Sequence, residues 1–107
     1  MTKWKDLLEY TDTVISRGAL LKFPAGQSFE DEVVMMVCEA PDKSGRFGLI
    51  AITGYKAGIN CYVIFPAEAA QTELSASWLI ANWTMWVWPD GHVQDVKVRA
   101  PLEAQEL

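Results

Sequence analysis

Catalysis by a serine or cysteine hydrolase needs a nucleophile, a base and a group that orients the base. His92 is the only histidine in this 107-residue sequence. It follows Pro89-Asp90-Gly91, a strong turn signal, where a solvated imidazole is the ordinary reading, and no residue near it resembles a nucleophile. Cys38 and Cys61 lack the paired spacing of a zinc site or a redox motif, and both lie in apolar, strand-like runs as reduced core residues would. Carboxylates are plentiful, yet nothing selects one pair of them for acid–base work. The run Glu30-Asp31-Glu32 lacks the glycine and alternating oxygen ligands of a calcium loop, so it reads as a solvated run ahead of a strand. Gly54, Gly58 and Gly91 stand alone at turns and none opens a lysine-bearing helix, which removes a phosphate loop. The sequence therefore predicts no enzyme, no cofactor and no metal site; it predicts a protein that works by binding.

Tryptophan is the unusual residue. Trp78, Trp83, Trp86 and Trp88 fall within eleven positions. One reading is a wall of rings that stacks on a sugar, cages a cation or anchors a partner protein. The other, which is favoured, is that a helix packs onto a sheet through these rings, since large aromatics are mostly buried. If Trp86 belongs to the core, Trp86→Ala is expected to cost about 3–5 kcal/mol.

The elements that must position these residues follow from pattern. Thr2 can cap an amphipathic first helix through Trp4, Leu7 and Leu8 toward Thr11. A strand is expected near Ala19 to Phe23, with Gly18 at a turn or bulge before it. Glu32 to Glu39 is apolar on successive residues and reads as a central strand buried on both faces. The turn residues Pro41 to Gly45 then lead into a strand from Phe47 to Thr53, which makes a hairpin, and Ile59 to Phe65 is a third β-rich run. Ser75 or Ser77 can cap a helix carrying Trp78, Leu79 and Ala81. Thr84 to Trp88 has strand composition and is expected to pair with Val93 to Val98 as an exposed or edge strand, while Ala100 to Leu107 reads as a fraying acidic tail. The whole is one domain, residues 1–107. Its fold class is α+β, an antiparallel sheet of about five or six strands with an N-terminal helix and a second helix before the last hairpin; a small barrel or roll is the alternative.

Half the residues are hydrophobic and a fifth are charged, a globular balance in a chain large enough to fold without metal or disulfide. The start Met1 to Asp6 lacks the apolar run of a secretory signal, and no apolar run approaches the roughly 18–20 residues a membrane span requires. A cytoplasmic protein is expected. Fourteen acidic against nine basic residues give a formal charge of −5, which repels nucleic acid and attracts a basic partner.

The stretch Trp78-Leu79-Ile80-Ala81-Asn82-Trp83-Thr84-Met85-Trp86-Val87-Trp88-Pro89-Asp90-Gly91, with its Asn-Trp-x-x-Trp-x-Trp-Pro pattern, and the earlier Arg17-Gly18-Ala19-Leu20-Leu21-Lys22-Phe23-Pro24 resemble small immunity proteins of bacterial polymorphic toxin and contact-dependent growth inhibition systems. The two stretches cover about a quarter of the chain. The resemblance implies a cytosolic protein that binds the C-terminal toxic domain of a cognate effector and blocks its active site or its substrate surface. Many such toxins are nucleases with basic surfaces, which an acidic inhibitor can occupy. The resemblance assigns no residue roles. Expected contacts are Glu30, Asp31, Glu32, Asp42, Asp90 and Asp95, chosen for their position at loops and exposed strand positions. Two rivals are a small-molecule or carbohydrate-binding module built on the tryptophans, and a subunit that buries the edge near Val93 to Val98 against another chain.

Overall fold

The segment Glu32–Glu39, the longest strand, organises the molecule. In the computed structural model, which describes residues 4–10, 13–24, 31–54, 56–70 and 72–107, this strand (β4) lies between β3 (Leu20–Pro24) and β5 (Phe47–Ala51). β6 (Val63–Ile64) continues the meander beyond β5. On the other side β8 (Lys97–Arg99) pairs with β3, and β1 (Lys5–Asp6) pairs with β8. The result is a six-stranded sheet of order β1-β8-β3-β4-β5-β6 in which every pairing is antiparallel. A second, two-stranded sheet joins β2 (Val14–Ile15) to β7 (Leu74–Ser75).

Register decides which side chains meet. Leu21 faces Met35 and Val98, Phe23 faces Val33, and Val37 faces Leu49. Because alternate residues of a strand share a face, these pairings gather Leu21, Phe23, Met35, Val37, Leu49 and Val98 on one side, where all are buried. Their cover is α1 (Ala76–Trp86), the one α-helix among the described residues, which adds Ala76, Leu79 and Trp83 to the same apolar cluster. Ser75 caps it, its hydroxyl accepting from the Trp78 N–H at 3.2 Å. The opposite face carries Lys22, Val34, Met36, Cys38, Ile50, Ile64 and Lys97, all only partly buried. The expected burial of Glu32 to Glu39 on both faces therefore does not occur: Met35 and Val37 are enclosed, and Val34, Met36 and Cys38 are not.

Several expected elements are corrected. There is no N-terminal α-helix: Lys5–Asp6 is a strand and Leu7–Tyr10 a 3-10 turn. Long-range partners overrode the short helical spacing. The Leu7 N–H donates to Val96 O at 2.9 Å, Lys97 reaches the Asp6 carboxylate, and Lys22 Nζ lies 4.3 Å from the centre of the Trp4 ring. Isolated helices of this length are marginal in water, so such contacts decide. Thr2 and Thr11 lie outside the described residues.

Thr84 to Trp88 is not a strand either. Thr84, Met85 and Trp86 complete α1, and Val87 N–H still donates to Trp83 O at 2.8 Å. Ala76, Leu79, Trp83 and Val87 are buried at spacings of three and four, a helical period that outweighs the β propensity of the local composition. The last hairpin is consequently absent. Val93–Asp95 forms a 3-10 turn, and Lys97–Arg99 becomes an inner strand between β1 and β3 instead of an edge.

The third β-rich run shrinks to Val63–Ile64 around a bulge. Tyr62 N–H donates to Leu49 O (2.7 Å) and Phe65 N–H to Phe47 O (2.8 Å), so β6 spends one residue more than β5 between these bonds. The expected fraying tail is held in place: Arg99, itself buried, donates to both Glu106 carboxylate oxygens at 2.7 and 2.8 Å, and Glu106 also accepts from the Glu103 N–H.

Candidate functional site

The expected contact acids divide between the two ends of the sheet. Asp31 and Glu32 open β4, and Asp42 lies in the turn that follows it. Eight strand residues at about 3.3 Å each put roughly 25 Å between these ends. Glu30 lies outside the described residues.

Asp42 is occupied by its own turn. It accepts from the Ser44 N–H at 3.0 Å and from Arg46 Nη2 at 2.8 Å, beside Lys43, whose φ is 60°. The Ser44 hydrogen bonds and the Arg46 guanidinium hold its carboxyl down at about 2. This is the geometry of a carboxylate that builds a loop through an Asx turn. Asp31, Glu32, Asp90 and Asp95 differ: all four are exposed, and among the described residues none forms an ion pair.

Aromatic contacts show what lies beside them. The Trp88 ring sits 5.3 Å from Phe23 and 6.4 Å from Tyr62, centroid to centroid. Phe23 pairs with Val33, so the opening of β4 adjoins the turn after α1, in which Gly91 N–H donates to Trp88 O at 3.0 Å and Asp90 is carried at the surface. Tyr62 donates its hydroxyl to Val87 O at 2.8 Å, and burial pushes its phenol up from the ordinary value. Asp95 precedes β8, whose Lys97 pairs with Lys22 opposite Val34, again at this end of the sheet. One end of the sheet thus carries Asp31 and Glu32 at the start of β4 and, on the α1 side, Trp88 against Phe23 and Tyr62 with Asp90 in the turn that follows; Glu32 shares the parity of Val34 and Met36 and takes the opposite face, Asp95 lies beyond, and Asp42 stands apart.

The tryptophan wall is chiefly core. Trp83 is 1% exposed and meets Phe23 edge-on at 5.0 Å. Trp78 and Trp86 lie 5.8 Å apart and both rest on buried Phe65. With Thr84 to Trp86 in the helix and not in a strand, the helix directs Trp86 toward Trp78, and Trp88 caps Phe23. Tyr62 was not among the expected site residues, and its aromatic, β-rich surroundings read only as strand.

His92 is exposed, and among the described residues no three histidine, cysteine or acidic side chains group as metal ligands. Among them, too, no helix is long and apolar enough to cross a membrane. The comparison with known families is specific: the chain belongs to the Imm45 family, Immunity protein 45, whose model matches residues 7–98. It is an immunity protein and not an enzyme. No curated protein and no solved structure matches the chain.

Proposed function

We propose that this chain neutralises a cognate toxin domain by binding it directly, with the aromatic and acidic end of the sheet as the contact. The observation that carries the reading is the contrast between the acids: Asp31 and Glu32 at the start of β4 and Asp90 in the turn after Trp88 are exposed with no ion pair among the described residues, whereas Asp42, also exposed, is engaged by its own turn. Aromatic side chains ringed by charge form an anchor with a steering rim. The partner is the C-terminal domain of a polymorphic toxin, including those of contact-dependent growth inhibition, and its substrate surface is basic, as in a nuclease. Binding there covers the surface that phosphate would occupy. The encounter takes place in the cytoplasm.

The carbohydrate-module reading needs rings open to a ligand, and Trp83, Trp78 and Trp86 are packed on one another or on Phe23 and Phe65. Docking through the Val93 to Val98 edge has lost its edge, because β1 covers it.

The test is a comparison of charge reversals against the cognate toxin domain, co-expressed and purified. The double variant Asp31→Lys, Glu32→Lys is expected to weaken the complex with an unchanged melting midpoint, since exposed charges contribute little to stability. Asp42→Lys is expected to lower the midpoint and leave affinity unchanged. Equal affinity in all three proteins would remove this site assignment.

A further inference from the structure

Cys38 and Cys61 stand 23 positions apart in sequence, yet their Sγ atoms approach to 3.5 Å. The approach has a structural cause. Cys38 pairs across the sheet with Gly48, the one β5 residue that has no side chain, and Cys61 immediately precedes Tyr62, whose N–H donates to Leu49 O at the bulge. Both cysteines are only partly buried, and Cys38 lies on the sheet face that α1 leaves uncovered. Packing alone does not require this arrangement, because neither residue belongs to the buried apolar cluster.

The geometry points to a dithiol modification site: Cys38 and Cys61 are converted by a small-molecule disulfide into an intramolecular disulfide. Closing a bond of about 2.0 Å needs the two sulfurs to approach by roughly a further 1.5 Å. Burial and the neighbouring sulfur push the Cys38 thiol up to about 12. One protein thiol of the pair, as its thiolate, attacks one sulfur of the small disulfide and expels one small thiolate. The other protein sulfur then attacks the first, gives up its proton and expels the second small thiol. The protein loses two electrons and two protons, and the small disulfide gains them as two thiols. The new bond would fasten β4 to the bulge that carries Tyr62.

Oxidised glutathione is the probe, applied to the folded, fully reduced chain, with the product read by intact mass and by peptide mapping without reductant. The expected product has lost two hydrogens, carries no glutathione and joins the Cys38 and Cys61 peptides. Dithiothreitol restores the starting mass. The oxidised form should melt higher by roughly 10 °C, as a constrained unfolded chain requires. Cys38→Ser is expected to stop at a mixed disulfide on Cys61. A native chain that keeps both thiols, or that stops at a glutathione adduct, overturns the proposal, and so does a closed form that melts below the reduced one.

Discussion

At Gly48 the backbone of β6 passes so close that a Cβ would collide with the Val63 carbonyl oxygen. Gly48→Ala must displace a strand whose bulge depends on that approach, and it should cost about 1–3 kcal/mol, measured as a lower urea midpoint at unchanged slope. A second residue-scale prediction concerns acid. The Asp42 carboxyl is lowered from 3.8 to about 2, so its contribution is present above its unfolded value and is lost as pH falls from about 4 through 2. Glu106, held down by Arg99 and the Glu103 N–H, moves in the same direction. Thermal scans across this range should show a shallower acid loss in Asp42→Asn than in the native chain. A third prediction separates the rings. Trp83→Ala should cost about 3–5 kcal/mol. Trp86→Ala should cost less than Trp83→Ala, because its ring is only partly buried at the margin of the core. Chemical denaturation of both variants ranks them.

The elements record how far pattern could be read. β3, β4 and β5 were legible because apolar, β-branched runs stand between turn residues, and Asp42-Lys43-Ser44 carries its own turn chemistry. The helix cap was legible too, and Ser75→Ala is expected to cost about 1 kcal/mol by thermal denaturation. Thr84 to Trp88 has the local β propensity of a strand, yet the spacing of Leu79, Trp83 and Val87, which the core buries along one helix face, decides for helix. Lys97–Arg99 misled for a different reason: its partners Lys5, Asp6 and Leu20 to Lys22 lie near the other end of the chain, and no local signal announces such a pairing. The same limit hid Tyr62. Exposure of Asp31, Glu32 and Asp90 follows from loop composition, but the packing of Trp88 against Phe23 and Tyr62 is a product of the sheet and α1 together.

For the whole molecule, the sheet supplies a rigid platform, α1 seals one face, and the chain's net charge of −5 biases encounters toward basic surfaces. A complex steered by charge should associate more slowly as salt rises, while its dissociation changes less. The central claim is that this immunity protein works by occupying a toxin. It is tested most directly by expressing the cognate toxin domain with and without this chain, then purifying through a tag on the chain. Rescue of growth together with recovery of a stable complex, both reduced by Asp31→Lys with Glu32→Lys, is the predicted result. Rescue without any physical complex, or a complex whose toxin remains fully active, would contradict it.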